Sequence, residues 1–229
     1  MATKKNDKAA LQQERQERIE ETVSKTEQFY NENKKTIWGC ILAAVVIALG
    51  VLAYNQFYLK PRIAEAQEQA YPAEAAFRNG NFELALNGDG NNYGFAQVID
   101  EYGKKAGKAM YLYAGECALN LKDYDAAIDY LKKYKGKDQI LAARAQACLG
   151  DAYAGLEQYE EAAAQFEKAA ALSDNMYAAG YLLKAGVTYE ELGDKDKALK
   201  CYETVKDKYP QSMEAYEIDK YINRIKFAE

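Results

Sequence analysis

The chain has 229 residues, 49% of them hydrophobic, with 30 Lys and Arg against 35 Asp and Glu and no histidine. Without imidazole there is no Ser-His-Asp or Cys-His nucleophile pair and no histidine-dependent zinc site, and Cys40, Cys117, Cys148 and Cys201 stand too far apart for a CxxC motif. That inventory points away from an enzyme and names no metal or cofactor, and a net charge of −5 offers no basic footprint for nucleic acid.

Residues 1–36 form a polar tail, nearly balanced in charge and without Pro or Gly. Leu11, Arg15, Ile19, Val23 and Tyr30 give a thin stripe at helical spacing, which predicts a solvated, partly helical segment, with pairing to another helix as the alternative. Residues 37–59, IWGCILAAVVIALGVLAYNQFYL, carry no charge at all. At about 1.5 Å per residue such a helix reaches roughly 34 Å, enough for a hydrocarbon core of about 30 Å. Trp38 at one end and Tyr54, Phe57 and Tyr58 at the other suit the headgroup layers. A cleaved signal ending at Ala53 fits less well, because 36 residues precede the run and a signal's apolar core spans only about 7–15. Cys40 opens the run instead of following it, so it is no lipoprotein site. The stretch is predicted to be an uncleaved transmembrane helix. Lys25, Lys34 and Lys35 before it against Lys60 and Arg62 after it favour a cytoplasmic N-terminus by a small margin.

Residues 60–72, rich in Ala, Glu and Gln, are predicted as a helical stalk, with Pro72 marking a break or a fresh start. Residues 73–108 hold NGNFELAL and then the loop NGDGNN, residues 87–92. Asn87, Asp89 and Asn91 match the first ligand positions of a calcium loop, yet Asn92 and Val98 stand where such a loop needs Gly and Glu. No metal site is assigned there.

From residue 109 to 210 the sequence repeats. Gly115, Gly150 and Gly186 are each followed twelve residues later by an alanine, Ala127, Ala162 and Ala198, and four residues beyond by a large side chain, Leu131, Phe166 and Tyr202. Tyr153 and Tyr189 follow the second and third glycines by three, where the first unit has Ala118. LKDYDAA, LEQYEEA and LGDKDKA each read as a turn opening a second helix, and Pro210 closes the series. Small residues at these places let two antiparallel helices approach, and the large ones fill the space beside the crossing. The pattern resembles the tetratricopeptide repeat, with its period of about 34 residues and its W-x2-L-G-x2-Y and A-x3-F signatures. Leu149, Gly150, Tyr153, Ala162, Phe166 and Ala169 carry the best match, while the consensus Trp is absent. Gly80, Phe82 and Ala85 look like a degenerate further unit.

The expected fold is therefore all-α: a tetratricopeptide-repeat solenoid of three clear units and one degenerate one, tethered to a single transmembrane helix. Residues 211–229 read as one amphipathic capping helix, with Met213, Tyr216, Ile218, Ile222 and Ile225 on the covered side and Asp219, Lys220, Asn223 and Arg224 toward water.

The resemblance implies a partner-binding groove lined by the first helix of each unit. Carried over from the glycines, that surface holds Leu112, Glu116 and Asn120, then Arg144, Ala147 and Asp151, then Leu183, Val187 and Glu191. The family's clamp for acidic C-terminal tails wants Lys and Asn where Leu112 and Glu116 stand, so extended or helical segments of modest specificity are the implied ligands. Tail, span and repeat domain in this order are similar in layout to the bacterial ancillary subunit family of the SecYEG translocon. That likeness implies a membrane-anchored interaction scaffold of the inner membrane, its N-terminus cytoplasmic and its repeats periplasmic beside the translocon and chaperones. Free domain cysteines argue mildly against export, since exported domains usually pair their thiols. The alternative is an obligate structural subunit of a cell-envelope assembly or division complex.

Overall fold

The computed structural model describes residues 3–172 and 174–227, and of residues 3–26 the side chains of Arg15, Arg18 and Val23 alone. Leu11 and Ile19 of the predicted tail stripe have side chains outside that description, as do Ser173 and the last two residues of the predicted cap. The described chain is helical throughout its regular elements and contains no strand among the described residues. It divides into two compact units, residues 1–60 and 61–229.

In the first unit, α1 (Thr3–Tyr54) runs without interruption through tail and apolar segment and is followed by a π-helical turn, Asn55–Leu59. The absence of Pro and the lone glycines Gly39 and Gly50 leave nothing to end it. One helical stretch among the described residues is long and apolar enough to cross a membrane, and none of its apolar window is buried. Ile41, Leu42, Val46, Ile47 and Leu52 along it are exposed.

The second unit is built of helical hairpins. α2 (Lys60–Arg78) pairs with the short α3 (Phe82–Asn87), and α4 (Phe95–Tyr102) follows. Then come α5 (Lys108–Asn120) with α6 (Tyr124–Lys133), α7 (Gln139–Gly155) with α8 (Tyr159–Leu172), and α9 (Tyr177–Glu191) with α10 (Lys195–Lys208). α7 packs on α8, α8 on α9 and α9 on α10, so each hairpin rests on the next.

The four hairpin turns are near copies of one another. Asn81, Asp123, Gln158 and Asp194 each donate a backbone N–H to the carbonyl five residues back, at Ala76, Ala118, Tyr153 and Tyr189, all at 2.9 Å. This closure needs a left-handed residue just before it. Gly80 and Gly193 meet the requirement at no steric cost, while Lys122 (φ 61°) and Glu157 (φ 60°) adopt it at a cost of about 1 kcal/mol each. Asn81, Asp123 and Asp194 then cap the next helix by accepting from Leu84, Ala126 and Lys197. The turn at Gly80 shows that the degenerate unit is a true hairpin of the series, its second helix cut short at Asn87.

The predicted stalk is a part of this core. α2 continues through Pro72, which removes one intrahelical bond, because Ala66, Ala70, Ala73 and Ala76 are all buried on one face against the hydrophobic cluster. Arg62 bridges to Glu101 and lies 4.7 Å from the centre of the Tyr102 ring. The NGDGNN loop is tied by its own aspartate: Asp89 accepts from the amides of Asn91 (2.9 Å) and Asn92 (2.7 Å), which hold its carboxyl below the ordinary range. Asn87 donates to Glu83 instead. Of the trio that resembles calcium ligands, Asp89 is thus occupied with closing a turn and Asn87 with Glu83, and Gly94 allows the chain to pass against the Leu86 carbonyl, where any Cβ would collide.

The glycines of the repeat sit where the pattern places them. A Cβ on Gly115 would lie 2.5 Å from Leu131 Cγ, and one on Gly150 would lie 2.6 Å from the Phe166 ring. Gly186 stands equally close to Tyr202, and Ala127, Ala162 and Ala198 are wholly buried beside them. Each predicted triple is therefore one crossing of two helices.

The end of the stack differs from the single capping helix expected. Ser212 Oγ accepts from Ala215 N and opens a 3-10 turn, Glu214–Tyr216, before α11 (Ile218–Lys226) begins. Ile218 and Ile222 are buried and Ile225 half-buried, but Met213 and Tyr216 are 81% and 82% exposed. Asp219 and Arg224 are exposed as expected, and from the surface they pair with Lys206 and Glu190.

Candidate partner-binding surface

Along the first helices of successive hairpins runs a series of acid–base pairs, each joining one hairpin to the next. Glu116 of α5 meets Arg144 of α7, its two carboxylate oxygens 2.5 Å from Nε and 2.7 Å from a terminal guanidinium nitrogen. Asp151 of α7 accepts from Lys184 of α9 at 2.7 Å with both oxygens. Glu190 of α9 holds Arg224 of α11 at 2.5 and 3.0 Å and also accepts from the Tyr202 hydroxyl. The last two pairs are half-open to water and contribute about 0–1 kcal/mol each. Glu116 is different, being 4% exposed. Burial pushes its carboxyl above the ordinary value, and the Arg144 guanidinium pulls it back down.

These pairs explain where the predicted groove residues go. Leu112, Glu116 and Ala147 are buried, so they belong to the interior between hairpins and not to a binding surface. An α5 residue at those positions faces α7 directly, because the first helices of neighbouring hairpins touch. Asn120 is exposed and donates to the Glu116 carbonyl, and Arg144 and Glu191 are exposed as well. Asp151, Leu183 and Val187 do come together.

They line a depression of about 320 Å³ closed by Phe166 and Tyr221. A second depression of about 280 Å³ lies beside it, lined by Met176, Tyr177, Tyr181 and Met213. Lys184 borders both, its ammonium held by Asp151 and 5.6 Å from the centre of the Phe166 ring. Met176 and Tyr177 are 62% and 56% exposed, an open apolar edge to this trough. The sequence reading missed them. The available signal was a second stripe on α9, Tyr177, Tyr181, Lys184 and Val187, running at helical spacing beside the buried face of Ala178, Ala185 and Tyr189.

The thiols contribute no chemistry to this surface. Burial pushes Cys117 and Cys148 up to about 12 and Cys201 up to about 11, so all three stay protonated at neutral pH.

Comparison with known proteins agrees with the repeat geometry. Tetratricopeptide-repeat family models match residues 95–139, 143–176 and 181–212. Two crystal structures of MamA are similar to the chain, one with a TM-score of 0.56 and 22% identity over 70% of this chain and 82% of that one. The other has a TM-score of 0.51 and 23% identity over 67% of this chain and 91% of that one. At such identities the likeness concerns the fold. No curated protein matches the chain in sequence. Copied hairpin turns, glycines at every crossing and three matching family models together make residues 95–212 an array of tetratricopeptide repeats.

Proposed function

We propose that the chain is a membrane-tethered scaffold that binds protein partners through the trough on α7, α9 and the turn before α11. The observation that carries this reading is the cluster of large apolar side chains left in water around one cavity, Met176, Tyr177 and Met213, with the half-buried Tyr181 as its floor. Met and Tyr are enriched in interface cores, and an open apolar patch on a folded domain marks an interaction site. The ligand that fits is an amphipathic helix or extended segment offering two or three apolar side chains, held at about micromolar strength, −8 kcal/mol. Tethering raises the local concentration of so weak a binder. Photo-crosslinkers at Tyr177 and Val187 are expected to capture partners, and controls at Asp129 and Lys200 on second helices are expected to stay empty. Capture at the controls alone would transfer the role to the other face and favour a permanently assembled subunit.

The finer reading places the repeats outside the cytoplasm, beside the translocon and its folding factors. It is supported by the uncharged helix over residues 37–59, the lysine pair Lys34 and Lys35 before it, and the resemblance in layout. Because Cys117 and Cys201 are buried and Cys148 is half-buried, a Cys40→Ser, Cys148→Ser, Lys200→Cys variant presents one reactive thiol. A membrane-impermeant maleimide should label it once the outer membrane is permeabilised. Labelling that waits for rupture of the inner membrane would place the repeats in the cytoplasm.

A further inference from the structure

Residues 60–229 carry 22 Lys and Arg against 28 Asp and Glu, yet the connection from α6 to α7 reads KKYKGK, with Lys132, Lys133, Lys135 and Lys137 in six residues. Part of this segment walls a cavity of about 240 Å³ that also touches α7 and α8, away from the trough described above. Lys132, Lys135 and Lys168 contribute to its lining and no acidic side chain does. Among the described residues no carboxylate pairs with any of the three. The Lys132 ammonium is held 5.6 Å from the centre of the Tyr153 ring, which also lines the cavity and orders the cation without neutralising it. Gln146 is also in the wall, and its carboxamide Oε1 is buried without a hydrogen-bond partner, alone in this respect among the described residues. A buried acceptor left unpaired costs about 1–3 kcal/mol.

The cavity thus asks for two things at once: negative charge for three lysines and a hydroxyl for one orphaned oxygen. We propose that it binds a phosphate group that brings a hydroxyl with it, the anionic oxygens meeting Lys132, Lys135 and Lys168 and the O–H donating to Gln146 Oε1. Hydrogen phosphate meets both needs with its P–O⁻ and P–OH groups, and a glycerol phosphate meets them with phosphate and alcohol. Sulfate has the same shape and, at neutral pH, the same charge as hydrogen phosphate, but no proton to donate. A purely electrostatic surface would treat the two alike. This site should prefer phosphate, since a carbonyl oxygen facing sulfate is left unpaired and repelled.

Titration calorimetry on the full chain in neutral detergent micelles, at fixed ionic strength and pH 7.5, tests this with sodium phosphate, sodium sulfate and sn-glycerol 1-phosphate. Phosphate is expected to bind saturably, about tenfold more tightly than sulfate. Equal affinity for phosphate and glycerol phosphate assigns the free ion as ligand, and about tenfold tighter glycerol phosphate assigns a glycerophospholipid headgroup, either of which supports the site. Lys135→Glu with Lys168→Glu should abolish binding, and Gln146→Leu should erase the preference for phosphate over sulfate while leaving residual anion binding. Both variants are checked for an unchanged melting temperature, and Gln146→Asn serves as the milder change should Gln146→Leu fail to fold. No saturable heat below about 10 mM, equal affinity for phosphate and sulfate, or undiminished binding by the double lysine variant would each overturn the assignment.

Discussion

Gly150→Leu is expected to destabilise the repeat domain by about 3 kcal/mol, lowering its melting temperature by roughly 6–12 °C. The smaller change Gly150→Ala sets two effects of similar size against each other. Alanine in mid-helix is favoured over glycine by about 1 kcal/mol. Its Cβ would nevertheless stand 2.6 Å from a ring carbon of Phe166, a side chain itself only 2% exposed and with nowhere to swing. The clash wins, so even Gly150→Ala should be destabilising. Phe166→Ala removes the obstacle at the cost of a cavity, and the side chain introduced by Gly150→Leu would fill part of it. The pair Gly150→Leu with Phe166→Ala should therefore be more stable than the sum of its parts by about 1–3 kcal/mol. Thermal melts of residues 61–229 followed by circular dichroism read all four corners of this cycle. Additive losses, or a melting temperature indifferent to Gly150→Leu, would mean that this crossing is not where the backbones meet. Because each hairpin leans on its neighbours, the loss should also appear as faster amide exchange in α9 and α10.

Arg144→Ala should cost about 2–3 kcal/mol at pH 8 and much less near pH 4. Removing the guanidinium leaves the Glu116 carboxylate buried between α5 and α7 with no counter-charge, and such broken pairs cost about 3–5 kcal/mol when both partners are covered. Arg144 is half exposed, so water recovers part of that. The pH dependence follows from the direction of the Glu116 shift. Burial raises its folded-state value above the unfolded one, and losing Arg144 raises it further. A raised value means that the folded protein holds the proton more tightly than the unfolded chain. The resulting stability is fully present below the unfolded carboxylate value of about 4.3 and is lost as pH rises through the folded value. The deficit of Arg144→Ala relative to the parent should thus grow with pH over that window. Adding Glu116→Gln should flatten it, since a carboxamide does not titrate. Denaturant midpoints for the parent, Arg144→Ala and the double variant at pH 4, 6 and 8 measure this directly, and a deficit independent of pH would show that Glu116 is solvated in the folded state.

The trough and the acid–base series have related consequences for binding. The charges that a simple reading offers to a partner, Glu116, Asp151 and Lys184, already satisfy one another across hairpins. What remains free is apolar, which is why modest specificity and low sensitivity to salt are expected of a ligand in the trough.

The sequence by itself determined the helical class, the uncharged helix and the hairpin series, because those depend on short-range rules. A glycine, an alanine twelve residues on and a large side chain four beyond that mark a close crossing wherever they recur, and Gly115, Gly150 and Gly186 duly face Leu131, Phe166 and Tyr202. Turn chemistry at Asp123 and Asp194 is equally local. Only the tertiary structure decided which face of each first helix reaches water. Leu112, Glu116 and Ala147 carry groove positions by register but are sealed between α5, α7 and α8, since a first helix packs both on its own partner and on the next hairpin. The same packing drew Ala66 and Ala70 out of a supposed stalk into the core, and it opened a 3-10 turn that turned Met213 and Tyr216 outward. The pairs Glu116–Arg144, Asp151–Lys184 and Glu190–Arg224 join residues 28, 33 and 34 apart. No local pattern contains them, because the angle between successive hairpins, set by the volume of every side chain at their interface, decides which acid meets which base.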